Sequence, residues 1–117
     1  MKKYLVIGNP IEHSLSPKLH NFWMKKNNIN AIYEKEKILD SDLKDLIAKV
    51  QKGEISGINV TVPFKKKVID YLDQLSIGSK ITQSVNTISL NGKNLIGYNT
   101  DIDGFELAIK NINFNVL

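Results

Sequence analysis

Apolar and polar residues follow two alternating patterns along this chain: short continuous apolar runs, and apolar residues spaced three and four positions apart. Residues 4–7 form an apolar run that stops at Gly8, as expected for a strand buried on both faces. Asn91-Gly92 is typical of a tight hairpin turn and lies between two apolar segments. Strands are therefore predicted at 4–7, 31–37, 58–62, 85–90 and 94–98.

The helix-spaced segments lie between these runs. The clearest is the set Leu43, Leu46, Ile47 and Val50, which follows a capping residue at Asp40 or Ser41. Another helix is predicted to begin at Ser16-Pro17, with serine as N-cap and proline in the first turn. Further apolar helix faces are predicted at Leu19, Phe22 and Trp23; at Val68, Tyr71, Leu72 and Leu75; and at Phe105, Ala108, Ile109 and Ile112. We expect Trp23 to be a core residue, 76–83 to hold a short helix and a loop, and 113–117 to approach another strand.

The alternation of strands and helices predicts an α/β fold. We expect a three-layer sandwich with a mostly parallel sheet of about six strands, one antiparallel strand from the hairpin, and helices on both faces. Ligands of such sheets bind at the carboxyl ends of the parallel strands. Because the antiparallel strand runs the other way, its start at Val85-Asn86 is predicted to lie at that same edge.

Composition and charge narrow the class of protein. The chain has 117 residues, 42% of them hydrophobic, which suits one globular domain. The net charge is +4, with lysines scattered among acidic residues, so a solvated surface is expected rather than nucleic-acid binding. No apolar stretch is long enough for a signal sequence or a membrane span, so a cytoplasmic protein is predicted. Cysteine is absent, and His13 and His20 lack acidic partners at ligand spacing, so no metal is expected.

The polar residues predicted at the carboxyl edge suit a small hydroxylated acid. Ser14 and Ser16 place hydroxyl and backbone donors at the positive end of a helix dipole, where a small anion binds. Amide and hydroxyl side chains suit ligand hydroxyl groups, and a lysine with an aspartate can move a proton. The other candidate residues at this edge are Asn59, Thr61, Lys65, Asn86 and Asp101. Ordinary capping and turn chemistry is the alternative interpretation.

Four motifs together resemble the N-terminal substrate-binding domain of shikimate dehydrogenase. They are Ser-Leu-Ser-Pro at 14–17, Asn-Val-Thr-Val-Pro-Phe-Lys at 59–65, Val-Asn-Thr at 85–87 and Gly-Tyr-Asn-Thr-Asp-Ile-Asp-Gly at 97–104, in the family's order. The resemblance implies that residues 1–112 form this domain. It also implies an oxidoreductase that reversibly reduces 3-dehydroshikimate to shikimate with NADPH, in the shikimate pathway to chorismate and aromatic amino acids. Gln83-Ser84 depart from the Gly-Ala that the family often has before Val-Asn-Thr.

The resemblance further implies a role for each candidate residue. Ser14 and Ser16 would bind the substrate carboxylate, and Lys65 would contact the reacting oxygen. Lys65 and Asp101 match the family's catalytic pair, with Lys65 as the principal acid and base and Asp101 orienting it. The ring hydroxyls would be bound by Thr61, Asn86 and Asp101, with Asn59 as a further contact.

The cofactor is expected outside this chain. The family holds NADP in a second, Rossmann-type domain, and the seven glycines here contain no G-x-G-x-x-G pattern. We therefore expect residues 113–117 to begin that missing domain and the fragment to be inactive alone. The full-length enzyme is a candidate homodimer. Two alternatives stay open: a quinate/shikimate dehydrogenase, and a stand-alone binding module without chemistry.

Overall fold

The fold is built on a six-stranded sheet in the order β2-β1-β3-β5-β6-β4. A computed structural model describes the backbone of residues 1–116 and the side chains of 1–105 and 107–110. Strand β5 is antiparallel to both of its neighbours, and the other pairings are parallel. The predicted mixed sheet is thus confirmed. The strands are β1 (Lys2–Gly8), β2 (Ala31–Lys37), β3 (Gly57–Val60), β4 (Gln74–Leu75), β5 (Thr87–Asn91) and β6 (Asn94–Tyr98).

Helices cover both faces of the sheet, as predicted for an α/β sandwich. On one face, the predicted apolar side of α2 is buried against a core that includes Leu5 and Ile7. On the other face, α1 packs along β2 beside a second cluster around Val6 and Tyr33. Because Leu5 and Val6 are consecutive, they point to opposite faces of β1. The helices are α1 (Ser16–Lys26), α2 (Leu43–Gln51), α3 (Ile77–Thr82) and α4 (Thr100–Val116).

A crevice is expected between the carboxyl ends of β1 and β3. The chain leaves β1 toward β2 on one side and returns to β3 on the other, so the connections diverge at this point. Backbone hydrogen bonds join the two exits: Asn9 N–H donates to the Val62 carbonyl at 3.0 Å, and Thr61 N–H donates to the Ile7 carbonyl at 2.9 Å. The loops that follow β1 and β3 are therefore held together.

The helix predicted from Val68 to Leu75 is wrong. The segment instead forms a short 3-10 helix at Lys67–Tyr71 and the edge strand β4. The outer edge of β6 explains the difference, because Leu95 exchanges hydrogen bonds with Asp73 and the Gly97 carbonyl accepts one from Ser76 N–H at 2.8 Å. A spacing of three and four residues also fits a 3-10 turn followed by an extended segment.

The apolar faces of the first and last helices are not buried as predicted. Trp23, expected in the core, is 48% exposed, and Leu19 and Phe22 are 47% and 60% exposed. Phe105, Ala108 and Ile109 on α4 are also exposed, and the side chain of Ile112 lies outside the described residues. Helical spacing identifies the apolar side of a helix but does not provide a partner that covers it.

Several element boundaries differ from the predictions. Helix α1 begins at Ser16 itself, so Leu15 occupies the N-cap position, where it makes no side-chain cap. The hairpin turn is formed by Gly92 and Lys93, one residue later than predicted, with Gly92 at φ +63°. The backbone of 113–116 continues α4 instead of approaching a strand, and Leu117 lies outside the described residues. Within the described part of the chain, no helix has the length and apolarity needed to cross a membrane.

Candidate functional site

The loop after β1 brings Ser14 and Ser16 to the start of α1. The Ser14 hydroxyl oxygen accepts a hydrogen bond from Ser16 N–H at 3.3 Å. Both serines are partly exposed, and the Lys18 N–H of the first helical turn has no acceptor among the described residues. Glu12, earlier in the same loop, is held by hydrogen bonds within the protein. Backbone N–H groups donate to its carboxylate and lower its pKa, and Lys35 Nζ donates to its backbone carbonyl at 2.7 Å.

The exit of β3 places Thr61 directly against the end of β1. Thr61 Oγ1 donates to the Ile7 carbonyl at 2.7 Å. This approach requires the glycine at position 8, because a Cβ there would overlap Thr61 Oγ1. Further along the same loop, the Lys65 carbonyl accepts a hydrogen bond from Val85 N–H at 2.8 Å. Lys65 therefore lies next to the segment that leads into β5.

Asn86, just before β5, joins that strand to the start of α4. Its Oδ1 accepts a hydrogen bond from Thr100 N–H at 3.0 Å, and its Nδ2 donates to Thr100 Oγ1 at 2.9 Å. Thr87 Oγ1 donates to the same Oδ1 at 3.0 Å. Asp101 is exposed in the first turn of α4, immediately after the residue that Asn86 holds.

Asn59 on β3 connects these groups to β2. Its Nδ2 donates to the Asn86 carbonyl at 3.3 Å and to Thr87 Oγ1 at 3.1 Å. Its Oδ1 accepts a hydrogen bond from the Tyr33 hydroxyl at 2.7 Å. Both N–H groups of the Asn59 amide are thus used within the protein.

Tyr33 is a residue of this network that the sequence predictions missed. Its ring is buried and stacks on His20, with centroids 4.3 Å apart. Burial raises the pKa of Tyr33 to about 12, and the nearby Ser16 hydroxyl has a smaller, lowering effect. The phenol is therefore protonated near neutral pH. One feature of the sequence could have identified Tyr33: it is an aromatic residue followed directly by four charged residues, 34–37, in the same strand.

The structure brings the segments that carry all the predicted residues to one edge of the sheet. Lys65 is partly buried and Asp101 exposed, and the two do not form an ion pair among the described side chains. No group of three or more His, Asp or Glu in the described region is arranged to hold a metal. None of the six strands that the structure describes leads into a glycine-rich nucleotide loop, so the described residues do not fit a dinucleotide. The roles of the individual residues stay predictions.

These features define an open α/β domain with hydroxyl, amide, ammonium and carboxylate groups at the carboxyl edge of its sheet, where ligand sites of this class lie. Residues 6–88 match the family model described as the shikimate dehydrogenase substrate binding domain. The chain belongs to the shikimate dehydrogenase family and corresponds to its N-terminal substrate-binding domain.

Individual relatives agree with this assignment. The NADP(+) shikimate dehydrogenase of Pelagibacter ubique is 55% identical over 115 residues, which cover 98% of this chain and 43% of that protein. The Bacillus subtilis enzyme of the same name is 42% identical, covering 96% of this chain and 40% of that protein. The crystal structure of the Listeria monocytogenes shikimate 5-dehydrogenase, in complex with shikimate and NAD, superposes with a TM-score of 0.84 at 32% identity, over 97% of this chain and 39% of that one. The chain thus spans about 40% of the length of the relatives it matches.

Proposed function

We propose that this chain forms the substrate-binding half of an NADP-dependent shikimate dehydrogenase, which reversibly reduces 3-dehydroshikimate to shikimate. The observation that carries the proposal is the hydrogen-bonded network of Asn59, Asn86 and Thr100 at the carboxyl edge of a domain of this family. The Listeria relative, described with bound shikimate, supports the choice of ligand.

The two ends of the edge suit the two ends of the substrate. Ser14 and Ser16 bind the carboxylate with their hydroxyl groups, and the Lys18 N–H group of the first helical turn adds a donor where negative charge is favoured. Thr61 and Asn86 bind ring hydroxyls. Because Thr61 donates its own hydrogen to Ile7, its oxygen is left to accept one from the ligand.

Lys65 serves the proton-transfer side of the reaction. When a hydride adds to the carbonyl carbon of 3-dehydroshikimate, the C=O π electrons move to oxygen and leave a negative charge. The Lys65 ammonium stabilises this charge and transfers a proton to the oxygen, and in the reverse direction the amine accepts that proton. Asp101 orients the lysine and a ring hydroxyl. The hydride donor, NADPH, belongs to a second domain, and we assign no step of its binding to the residues described here.

A hybrid enzyme tests the proposal. We replace the matching segment of the Pelagibacter ubique enzyme with this chain and follow NADP reduction by shikimate and NADPH oxidation by 3-dehydroshikimate. The hybrid should be active, and Lys65→Ala should lower kcat by at least about a hundredfold, the usual contribution of a positioned acid or base. Lys66→Ala is the matched control, because that neighbouring lysine is exposed, and it should keep the activity of the hybrid.

Other results would change the assignment in defined ways. An inactive hybrid that still binds shikimate would favour a binding module, and faster turnover of quinate would favour the quinate/shikimate alternative. If Lys65→Ala kept near-normal turnover while Asp101→Asn lost it, the two catalytic roles would have to be exchanged. The 117-residue chain by itself is expected to show no dehydrogenase activity.

A further inference from the structure

We propose that Tyr33 is a positioning residue of the substrate site: its phenol hydroxyl fixes the residues that bind ring hydroxyls through Asn59, and its ring is linked through His20 to Ser16 at the carboxylate-binding end. The proposal rests on the proposed function, because it concerns the same site. It also gives Asn59 a different role from the direct substrate contact that the sequence predicted.

Tyr33 is held rigidly before any ligand arrives. The side-chain amide of Asn21 on α1 clamps its backbone, donating to the Tyr33 carbonyl at 2.8 Å and accepting from Tyr33 N–H at 2.9 Å. Tyr33 is only 4% exposed, and its ring lies flat on the His20 ring, with an angle of 6° between the planes. His20 Nδ1 lies 2.9 Å from the Ser16 carbonyl, so the first turn of α1 is tied to the same aromatic pair.

The phenol hydroxyl sets the orientation of the Asn59 amide. Tyr33 donates to Asn59 Oδ1 at 2.7 Å, which directs both amide hydrogens toward the Asn86 carbonyl and Thr87 Oγ1. With both hydrogens used, Asn59 has no N–H left to donate to a substrate. Its contribution is therefore to hold Thr87 and Asn86 in place.

A continuous chain of hydrogen bonds then leads to the catalytic end of the site. Thr87 Oγ1 donates to Asn86 Oδ1, which also accepts from the first N–H of α4 at Thr100. Because each group fixes the next, loss of the Tyr33 hydroxyl loosens the groups that bind ring hydroxyls without touching Lys65. The expected effect is weaker substrate binding with little change in the chemical step.

Tyr33→Phe in the active hybrid enzyme tests this inference. The substitution keeps the ring, its burial and its stacking, and removes only the hydroxyl. We expect the KM for shikimate to rise about fivefold, the effect of one net hydrogen bond, with kcat and the KM for NADP changed by less than about twofold. In an Asn59→Ala background, the same substitution should have no further effect, because the two residues act in series.

Tyr4→Phe is the matched control. Tyr4 lies opposite Tyr33 in the β1–β2 register and packs against the same cluster, but its hydroxyl makes no hydrogen bond within the described residues. This variant should keep the KM of the parent hybrid.

The outcomes separate this inference from the function on which it rests. A parent hybrid that neither turns over nor binds shikimate would overturn the proposed function. An active hybrid whose Tyr33→Phe variant keeps the parent KM would overturn the positioning role alone. A loss of kcat and thermal stability together, with the KM unchanged, would also overturn it, since that pattern indicates a purely structural role.

Discussion

Gly8→Ala is the sharpest test of how the candidate site is packed. Gly8 ends β1 and is buried, and a Cβ at this position would overlap Thr61 Oγ1. It would also approach the Ile11 Cδ1 atom at 3.1 Å and the Pro10 carbonyl at 3.2 Å. The added methyl group therefore has no free space, and we expect the Thr61 side chain to rotate away from the Ile7 carbonyl.

The size of the effect follows from two terms. The lost hydrogen bond costs about 1 kcal/mol, because the Ile7 carbonyl keeps its second partner, Thr61 N–H. Overpacking by one methyl group costs about 1–3 kcal/mol. The free energy of unfolding should therefore fall by about 2–4 kcal/mol, a large share of the roughly 5–15 kcal/mol that stabilises a typical domain.

Denaturant unfolding measures how much of this cost comes from the contact between position 8 and Thr61. The four variants are Gly8→Ala, Thr61→Ala, the double variant and Gly104→Ala, each compared with the parent. Thr61→Ala removes the colliding oxygen, so Gly8→Ala should cost at least about 1 kcal/mol less in that background than in the parent. Gly104→Ala is the control: no described atom outside the adjacent part of its own helix lies within 4 Å of its Cβ position, and in helix α4 the change should stabilise by roughly 0.5–1 kcal/mol. An equal cost of Gly8→Ala in both backgrounds would refute the proposed collision with Thr61.

Two further predictions concern backbone strain and pH. Gln83 has φ +52°, a left-handed backbone conformation that costs about 1–2 kcal/mol for a residue with a side chain. Glycine avoids this cost but loses more chain entropy on folding, which costs about 0.5–1 kcal/mol. Gln83→Gly should therefore raise the thermal midpoint, and a lower midpoint would contradict this account. Because the Tyr33 pKa is about 12 in the folded chain and ordinarily 10.0, the unfolded chain loses this proton first as the pH rises. The free energy of unfolding should thus fall between pH 10 and 12, and the fall should be smaller in Tyr33→Phe. Urea titrations at these pH values that show equal falls in the two proteins would speak against this account.

Helix α2 shows what the sequence could predict about the fold. Its apolar residues have the expected helical spacing, and all four are buried between the helix and the sheet. The same reasoning fails for α1 and α4, where the apolar residues predicted to face the core are largely exposed in the described structure. In the segment that becomes β4, the outcome depends on hydrogen bonds to β6, more than twenty positions away in the case of Leu95 and Asp73. Local periodicity carries no information on such pairing.

The edge that carries the candidate site was predictable because the direction of each strand decides where its end lies. Once β5 is antiparallel, Asn86 must lie near the residues that follow β3 and β6. The partners of each side chain were not predictable in this way. Tyr33 and Asn59 are 26 positions apart in the sequence. They come within hydrogen-bonding distance because β2 and β3 each pair in parallel with β1, on its two sides.

The reversed direction of β5 also has a practical consequence. The hairpin begins at the site with Asn86, but it turns at Gly92 and Lys93 on the opposite rim of the sheet, roughly 15 Å away along a five-residue strand. Lys93 is exposed there. A fluorophore or a surface-immobilisation tag attached at this lysine would leave the rim with the candidate site open to solution.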